Sequence, residues 1–335
     1  MFAKAPDGRP GRYRAEAKNT SRALRAAPLT DGDSTVPSSV GVIEQTGALG
    51  SGESVAAERT RPSGQILKWV GNKQRYAAAI ARHLPAEEGT YFEPFVGTGA
   101  VLATMRPDRG VAGDTLGVLI DLLRLVQRDP NRLVAHYEHE RAQIVARGRE
   151  AYEEIQARFN INPTPDDLLV LSRTCYGGVV RFTRGGTIST PMGPHHPMAA
   201  DKLARYMTEW QARLRGVEFV CQDFSETMAA AGSGDTIYCD PPYLHGQSIL
   251  YGAQDFQLAR LWEAVTAAVE RGARVAVSVD GYRRSGDRMI DLGMPIGLFE
   301  RELMIERGGC MLRRFQMGGS DMALERVADR LLLSW

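Results

Sequence analysis

The chain has 335 residues, of which 43% are hydrophobic and 24% charged, with a formal net charge of +1. That is enough apolar material to bury a large core without staples, so a natively unfolded chain or a small disulfide scaffold is excluded. The four cysteines (Cys175, Cys221, Cys239 and Cys310) include no CxxC pair, and no apolar run is long enough to span a bilayer, which points to a cytoplasmic protein that needs no zinc ribbon.

Residues 1–63 are rich in Gly, Ser, Thr, Ala, Arg and Pro and lack periodicity; they read as a disordered or loosely packed extension. Its arginines are followed by no apolar segment, so it is not read as a secretory leader. From there the pattern predicts a helix over Lys73–Leu84, a short strand over Thr90–Phe95, a helix over Gly99–Met105, a strand over Gly110–Gly113 ending at Asp114, and a helix over Leu116–Arg128 with Leu122, Leu125 and Val126 as its apolar stripe. A polar helical stretch over Arg132–Phe159, a helix over Asp166–Arg173 and a hairpin over Val179–Pro191 around Arg184-Gly185-Gly186 follow. Further strands are expected at Val217–Cys221, Thr236–Cys239, Arg274–Val279, Glu302–Glu306 and Arg330–Trp335, with an amphipathic helix over Phe256–Arg271. Strands alternating with helices imply an α/β sheet with crossovers. The stretch 124–215 interrupts the alternation, so the domain plan is a catalytic domain made of 64–123 and 216–335 with a helical, hairpin-bearing insert at 124–215.

Charge is distributed unevenly. Between Arg173 and Arg215 stand seven basic residues against two acidic ones, a candidate phosphate-binding face in a near-neutral chain, with a solvated basic surface as the plain alternative.

Two motifs carry chemistry. Tyr91-Phe92-Glu93-Pro94-Phe95-Val96-Gly97-Thr98-Gly99 reads as strand, glycine turn and helix start, where the backbone approaches a ligand and free N–H groups face it. The spacing is GxG rather than GxGxxG, so a tight structural turn competes with a ligand site. Asp114 ends the next strand, where an acid commonly bonds ribose hydroxyls, and together they suggest a nucleoside-containing cofactor. The second motif, Asp240-Pro241-Pro242-Tyr243, leaves a strand in a stiff extended conformation. It holds a carboxylate, carbonyls and an aromatic ring at the sheet's C-terminal edge, acceptors and a stacking surface suited to a planar ring bearing an amino group.

These residues resemble the DNA adenine methylase (Dam-like) family of N6-adenine DNA methyltransferases, from about Gln65 to Trp335. Lys68-Trp69-Val70-Gly71-Asn72-Lys73 is similar to the family's Lys-Trp-x-Gly-Gly-Lys opening, with Asn72 in place of a glycine. The turn at 92–99, Asp114, Arg173–Gly178 with the hairpin 181–193, Gln222-Asp223-Phe224 and Asp240–Tyr243 follow in family order; Thr115-Leu116 departs from the usual Ile-Asn. The resemblance implies a class I (Rossmann-like) methyltransferase fold, S-adenosyl-L-methionine as cofactor, and double-stranded DNA as partner, in a restriction-modification system or as an orphan methylase. A homodimer stays open. Trp69, Lys73, Phe95, Gly97, Gly99, Asp114, Asp223, Phe224 and Asp240 are the expected cofactor residues. Asp240, Pro241, Pro242 and Tyr243 are the expected catalytic group. Arg173, Arg181, Arg184 and Thr187 are the expected DNA contacts, with Arg184 on a base edge and Arg181 and Arg173 on phosphates. No metal is needed. Without any family, Asp240 and the carbonyl of Pro241 can accept the two N–H bonds of an adenine amino group and so localise its lone pair, and Tyr243 can stack on a flipped base. Cytosine N4 or RNA adenine remain alternative targets, and a catalytically silent DNA-binding protein a third; the absence of Pro-Cys excludes cytosine C5 chemistry.

Overall fold

The computed structural model describes residues 59–85, 89–183, 185–242, 256–280, 292–306 and 328–335. Among the described residues seven strands form one sheet: β1 (Tyr91–Glu93), β2 (Gly110–Asp114), β3 (Val217–Cys221), β4 (Thr236–Cys239), β5 (Arg274–Asp280), β6 (Arg301–Glu306) and β7 (Ala328–Leu333), in the spatial order β3-β2-β1-β4-β5-β7-β6. The first five are parallel; β7 runs antiparallel between β5 and β6. The central strands are short and wholly buried, as β1 and β4 show with unbroken buried patterns, which is what parallel strands covered on both faces require. It is the mixed, mostly parallel, Rossmann-like α/β sheet expected from the sequence.

Strand order reverses at β1. The chain steps outward to β2 and β3 on one side, then returns to β4 and β5 on the other, so the C-terminal ends of β1 and β4 flank the crevice where open α/β sheets bind ligands. The sequence places Glu93 at the end of β1, Asp114 at the end of β2 and Asp240 just after β4.

The helices among the described residues are α1 (Ala77–Ala81), α2 (Ala100–Met105), α3 (Gly117–Arg128), α4 (Pro130–Arg147), α5 (Arg149–Ile161), α6 (Pro165–Thr174), α7 (Ala200–Arg213), α8 (Phe224–Ala229) and α9 (Leu258–Glu270). Four sequence expectations change here. The helix expected over Lys73–Leu84 shrinks to α1, because the Asn72 side chain accepts the Gln74 N–H at 2.8 Å and a turn consumes the residues before Ala77. The single helix expected over Arg132–Phe159 is two, broken at Gly148, whose φ of 63° lies in the left-handed region. The hairpin at 179–191 closes through isolated bridges, Phe182 to Ile188 and Cys175 to Met192, rather than a continuous ladder. Two helices, α7 and α8, were not expected as such.

The described part of the chain also begins earlier than the expected boundary at 63. Arg59 donates to the carbonyls of Ala81 at 2.7 Å and Leu84 at 2.9 Å, and the Ser63 amide donates to Glu209 on α7, so this segment is pinned to the body. The helix α3 crosses the expected boundary at 124, and α7 packs on α2, α3 and α4 with Trp210 fully buried. Residues 59 onward fall within one compact unit, so the helical insert and the sheet share a core. No helix among the described residues is long and apolar enough to cross a membrane.

Candidate active site

A cavity of about 500 Å³ opens at the C-terminal edge of β1, β2 and β4, within the range of small-molecule sites. One wall is the glycine turn. Gly97 and Gly99 sit at φ 48° and 71°, and the Asp114 carboxylate clamps the turn, accepting the Gly97 N–H at 3.1 Å and the Leu116 N–H at 3.0 Å. Burial pushes the Asp114 carboxyl upward, against the pull of these amides. Gly97 lines the cavity. Gly99, expected beside the cofactor, does not: it caps α2, and a Cβ there would meet Val96, Leu102 and Trp210 instead of the cavity. Its role is the turn itself.

A second wall is aromatic. The rings of Phe95 and Phe224 stack with centroids 5.0 Å apart, and Phe256 meets both edge-on at 5.9 and 6.0 Å. Beside them Asp223 caps α8, accepting the Ser225 N–H at 3.0 Å, and takes an ion pair from Arg260 at 2.9 Å. The Arg260 guanidinium also lies 5.2 Å from the Phe224 ring centroid. Despite its partial burial, these hydrogen bonds and Arg260 hold the Asp223 carboxyl below its ordinary value.

The floor is polar and buried. Lys73 is 3% exposed, and its Nζ lies 2.6 Å from Asp240 Oδ1 and 4.0 Å from Asp329 Oδ2 on β7. Glu93 accepts the Tyr91 hydroxyl at 2.8 Å; burial, reinforced by the Asp240 charge, drives its carboxyl well above the ordinary range. Tyr238, hydrogen-bonded to Ser278 at 2.9 Å, is pushed up for the same reason. Cys239 is buried behind them, its thiol raised by desolvation, as a core residue should be. Pro241 and Pro242 follow Asp240 along the cavity; Tyr243 lies outside the described residues.

Trp69 lines the cavity and faces Phe182 of the hairpin at 6.4 Å, tilted by 57°. Val180, Phe182, Thr183 and Gly186 also reach the cavity, so the hairpin stands over its mouth. Arg181 is exposed there, while Thr187 binds back to Thr183 through both hydroxyls at 2.8 Å, bracing the hairpin. Arg184 lies outside the described residues. Arg173, expected on phosphate, turns inward: it donates to the carbonyls of Gln65 at 2.8 Å and Ile66 at 2.9 Å, and burial lowers its affinity for a proton. Arg213 is likewise interior, bonded to Glu209 and to the Ala103 carbonyl. The basic run therefore divides into internal braces and an exposed set that includes Arg181, Lys202, Arg205 and Arg215.

The structure thus gathers Trp69, Lys73, Phe95, Gly97, Asp114, Asp223, Phe224 and Asp240 around one cavity. It adds Glu93, Phe256 and Arg260 to the lining, with Asp329 behind Lys73. Glu93 stood in the strand motif and could have been flagged as a charge amid apolar residues; the other three stand in unremarkable sequence and meet the site only through the fold.

A family model for the D12 class N6 adenine-specific DNA methyltransferases matches residues 69–257. A DNA N-6-adenine-methyltransferase of Escherichia phage P1 is 30% identical over 271 residues, 71% of this chain and 34% of the phage protein. A DNA adenine methylase of Serratia marcescens is 31% identical over 190 residues, 53% of this chain and 66% of that protein. A DNA adenine methylase of Vibrio cholerae is 28% identical over 261 residues, covering 73% of this chain and 90% of that protein. The chain spans about a third of the phage relative and just under two thirds of the Serratia one. With its sheet order, its acid-clamped glycine turn and its Asp240-Pro241-Pro242 edge all in place, this chain belongs to the D12 class of N6 adenine-specific DNA methyltransferases.

Proposed function

We propose that the chain methylates the N6 amino group of adenine in double-stranded DNA, with S-adenosyl-L-methionine as the methyl donor. The observation that carries this reading is the placement of Asp240, tethered to Lys73, on the same cavity as the Asp114-clamped turn and the aromatic wall.

The cavity fits such a cofactor chemically. Phe95, Phe224 and Phe256 offer a clip for a purine, Asp223 an acceptor for an exocyclic amine, and Asp114 retains acceptor capacity for hydroxyls beside its two backbone bonds. The bound cofactor would supply a methyl group on a positively charged sulfur. The protein's part is to position and polarise the nucleophile. An adenine amino nitrogen is weakly nucleophilic because its lone pair is delocalised into the ring. Asp240 accepts one of its N–H bonds and the Pro241 carbonyl the other, which localises the lone pair toward the donor. The proton the nitrogen sheds is taken up at the Asp240 carboxylate. A base reaches this cavity only after leaving the helix, and the hairpin over its mouth, with exposed Arg181 and Thr183, is the proposed DNA-facing element. Tyr243 is proposed to stack on the extruded base.

The test is product analysis. Purified protein, radiolabelled S-adenosylmethionine and duplex DNA should yield labelled N6-methyldeoxyadenosine after digestion to nucleosides, and Asp240→Ala should lower transfer by about 10²–10³-fold while still binding cofactor. Label only in cytosine N4, or only in RNA, would replace the proposed substrate; an Asp240→Ala enzyme keeping more than about a tenth of the rate would remove Asp240 from the chemistry.

A further inference from the structure

We propose that Asp329, on the C-terminal strand β7, is a positioning residue for methyl transfer: acting through Lys73, it holds the Asp240 carboxylate in place and keeps it a strong hydrogen-bond acceptor. The proposal rests on the reading of Asp240 as acceptor of the adenine amino group.

Because β7 runs opposite to its neighbours, its first residues reach the same sheet edge as the last residues of β1, β4 and β5. Asp329 pairs in register with Asp280 of β5 and Ile305 of β6, and it is 1% exposed. Its Oδ2 lies 4.0 Å from Lys73 Nζ, on whose other side Asp240 Oδ1 sits at 2.6 Å. Lys73 is thus a buried ammonium between two carboxylates from different strands, one facing the cavity and one sealed behind it. The alternate residue on β7, Arg330, turns the other way and pairs with Glu302 of β6 at 2.6 Å, so it does not compete for this site.

The physical consequence follows from sharing a charge. In a low-dielectric pocket, an ammonium paired with one carboxylate stabilises its negative charge strongly and so weakens it as a hydrogen-bond acceptor. Such a carboxylate would be well fixed but weak toward adenine. A second carboxylate divides the ammonium's field, so Asp240 stays anchored through Oδ1 yet retains acceptor strength at the cavity. The titratable and charged groups around Asp240 among the described residues include Lys73 before α1, Glu93 on β1, Tyr238 and Cys239 on β4, and Asp329 on β7 across Lys73. Of these, only Lys73 is cationic, so removing the Asp329 charge makes Asp240 easier to keep ionised and poorer as an acceptor.

Asp329→Asn tests this in the full-length protein by single-turnover methyl transfer across pH. The rate should fall about tenfold, with cofactor and DNA affinities within about twofold of wild type and the acid limb of the profile moved to lower pH. Asp329→Glu, which keeps the charge, should recover most of the rate. Asp329→Ser is carried alongside so that a folded neutral variant is in hand, with melting temperature as the check. An Asp329→Asn enzyme with wild-type rate and an unmoved limb overturns the proposal, as does Asp329→Glu being as impaired as the neutral variants. Asp240→Asn run in parallel separates the two levels: if it stays active, the reading of Asp240 has failed, and if it is inactive while Asp329→Asn behaves as wild type, only the role of Asp329 has failed.

Discussion

Two clusters of charge in this molecule, one at the surface of the helical insert and one buried at the sheet edge, hold their carboxylates to opposite ends. In the helical insert, Arg158 forks onto Asp167, with Nε–Oδ2 at 2.9 Å, and reaches Glu140 at 2.9 Å, while His136 meets Asp167 at 3.0 Å. Burial works against an ionised Asp167, but Arg158 and His136 overcome it and hold its carboxyl down to about 2. At the sheet edge, Lys73 is set between Asp240 and Asp329 with Glu93 beside them, and burial drives Glu93 up. A planar guanidinium uses up the lone pairs of the carboxylate it faces and fixes it for structural purposes. An ammonium binds as a point charge and leaves carboxylate oxygens available to a substrate. The carboxyl and imidazole groups of His136, Glu140 and Asp167 lie within 4.8 Å of one another, a spacing that also suits a cation, yet Arg158 already supplies the positive charge there. Closeness of acids therefore does not set the two clusters apart; the open cavity on which Lys73 and Asp240 lie does.

The sharpest way to break this comparison is Lys73→Met. If Lys73 sustains Asp240, transfer at neutral pH should fall about 100-fold and the acid limb should move to higher pH, opposite in sign to Asp329→Asn. An unchanged pH profile would show that the ammonium does no electrostatic work on Asp240.

The structural cluster predicts a stability effect instead. Asp167 is held below the ordinary aspartate value of 3.8, so its stabilisation is present above that value and is lost as pH falls toward 2. Asp167→Asn should cost at most about 2 kcal/mol in urea denaturation at neutral pH, with the gap to wild type closing as pH approaches 2. A gap that stays constant over that window would mean the cost is steric rather than electrostatic.

Asp114→Ala tests whether the clamp on the glycine turn also serves the cofactor. Affinity for S-adenosylmethionine by calorimetry should weaken at least about tenfold, near 1.4 kcal/mol. Unchanged affinity would shift the hydroxyl-binding role to another acceptor on the cavity. The smallest effect belongs to the exposed hairpin. Arg181→Ala should weaken cognate and non-cognate duplexes by similar factors and lower the salt slope by about one. A changed sequence preference would instead make Arg181 a base reader.

Much of this protein was legible in one dimension. Short local patterns determined the parallel strands, the glycine turn with Asp114, and the stiff exit at Asp240-Pro241-Pro242, because each depends on backbone conformations that a few adjacent residues dictate. The helix break at Gly148 and the short α1 were local too, but turned on a positive φ and a side-chain turn at Asn72 that periodicity does not register. Direction of side chains was not legible. Arg173 and Arg181 lie eight positions apart in one basic run, yet one braces the interior and the other is exposed, a difference set by which face of the fold each occupies. Gly99 looked like a cofactor contact and proved a helix cap against Trp210. Least legible was the partnership of Lys73, Asp240 and Asp329. Strands β1 to β4 lie between Lys73 and Asp240 in the chain, and β5 and β6 between Asp240 and Asp329; only the antiparallel insertion of β7 brings the third to the edge where the other two meet. A sequence specifies which groups can ionise; burial and the charges that packing sets beside them decide what those groups do.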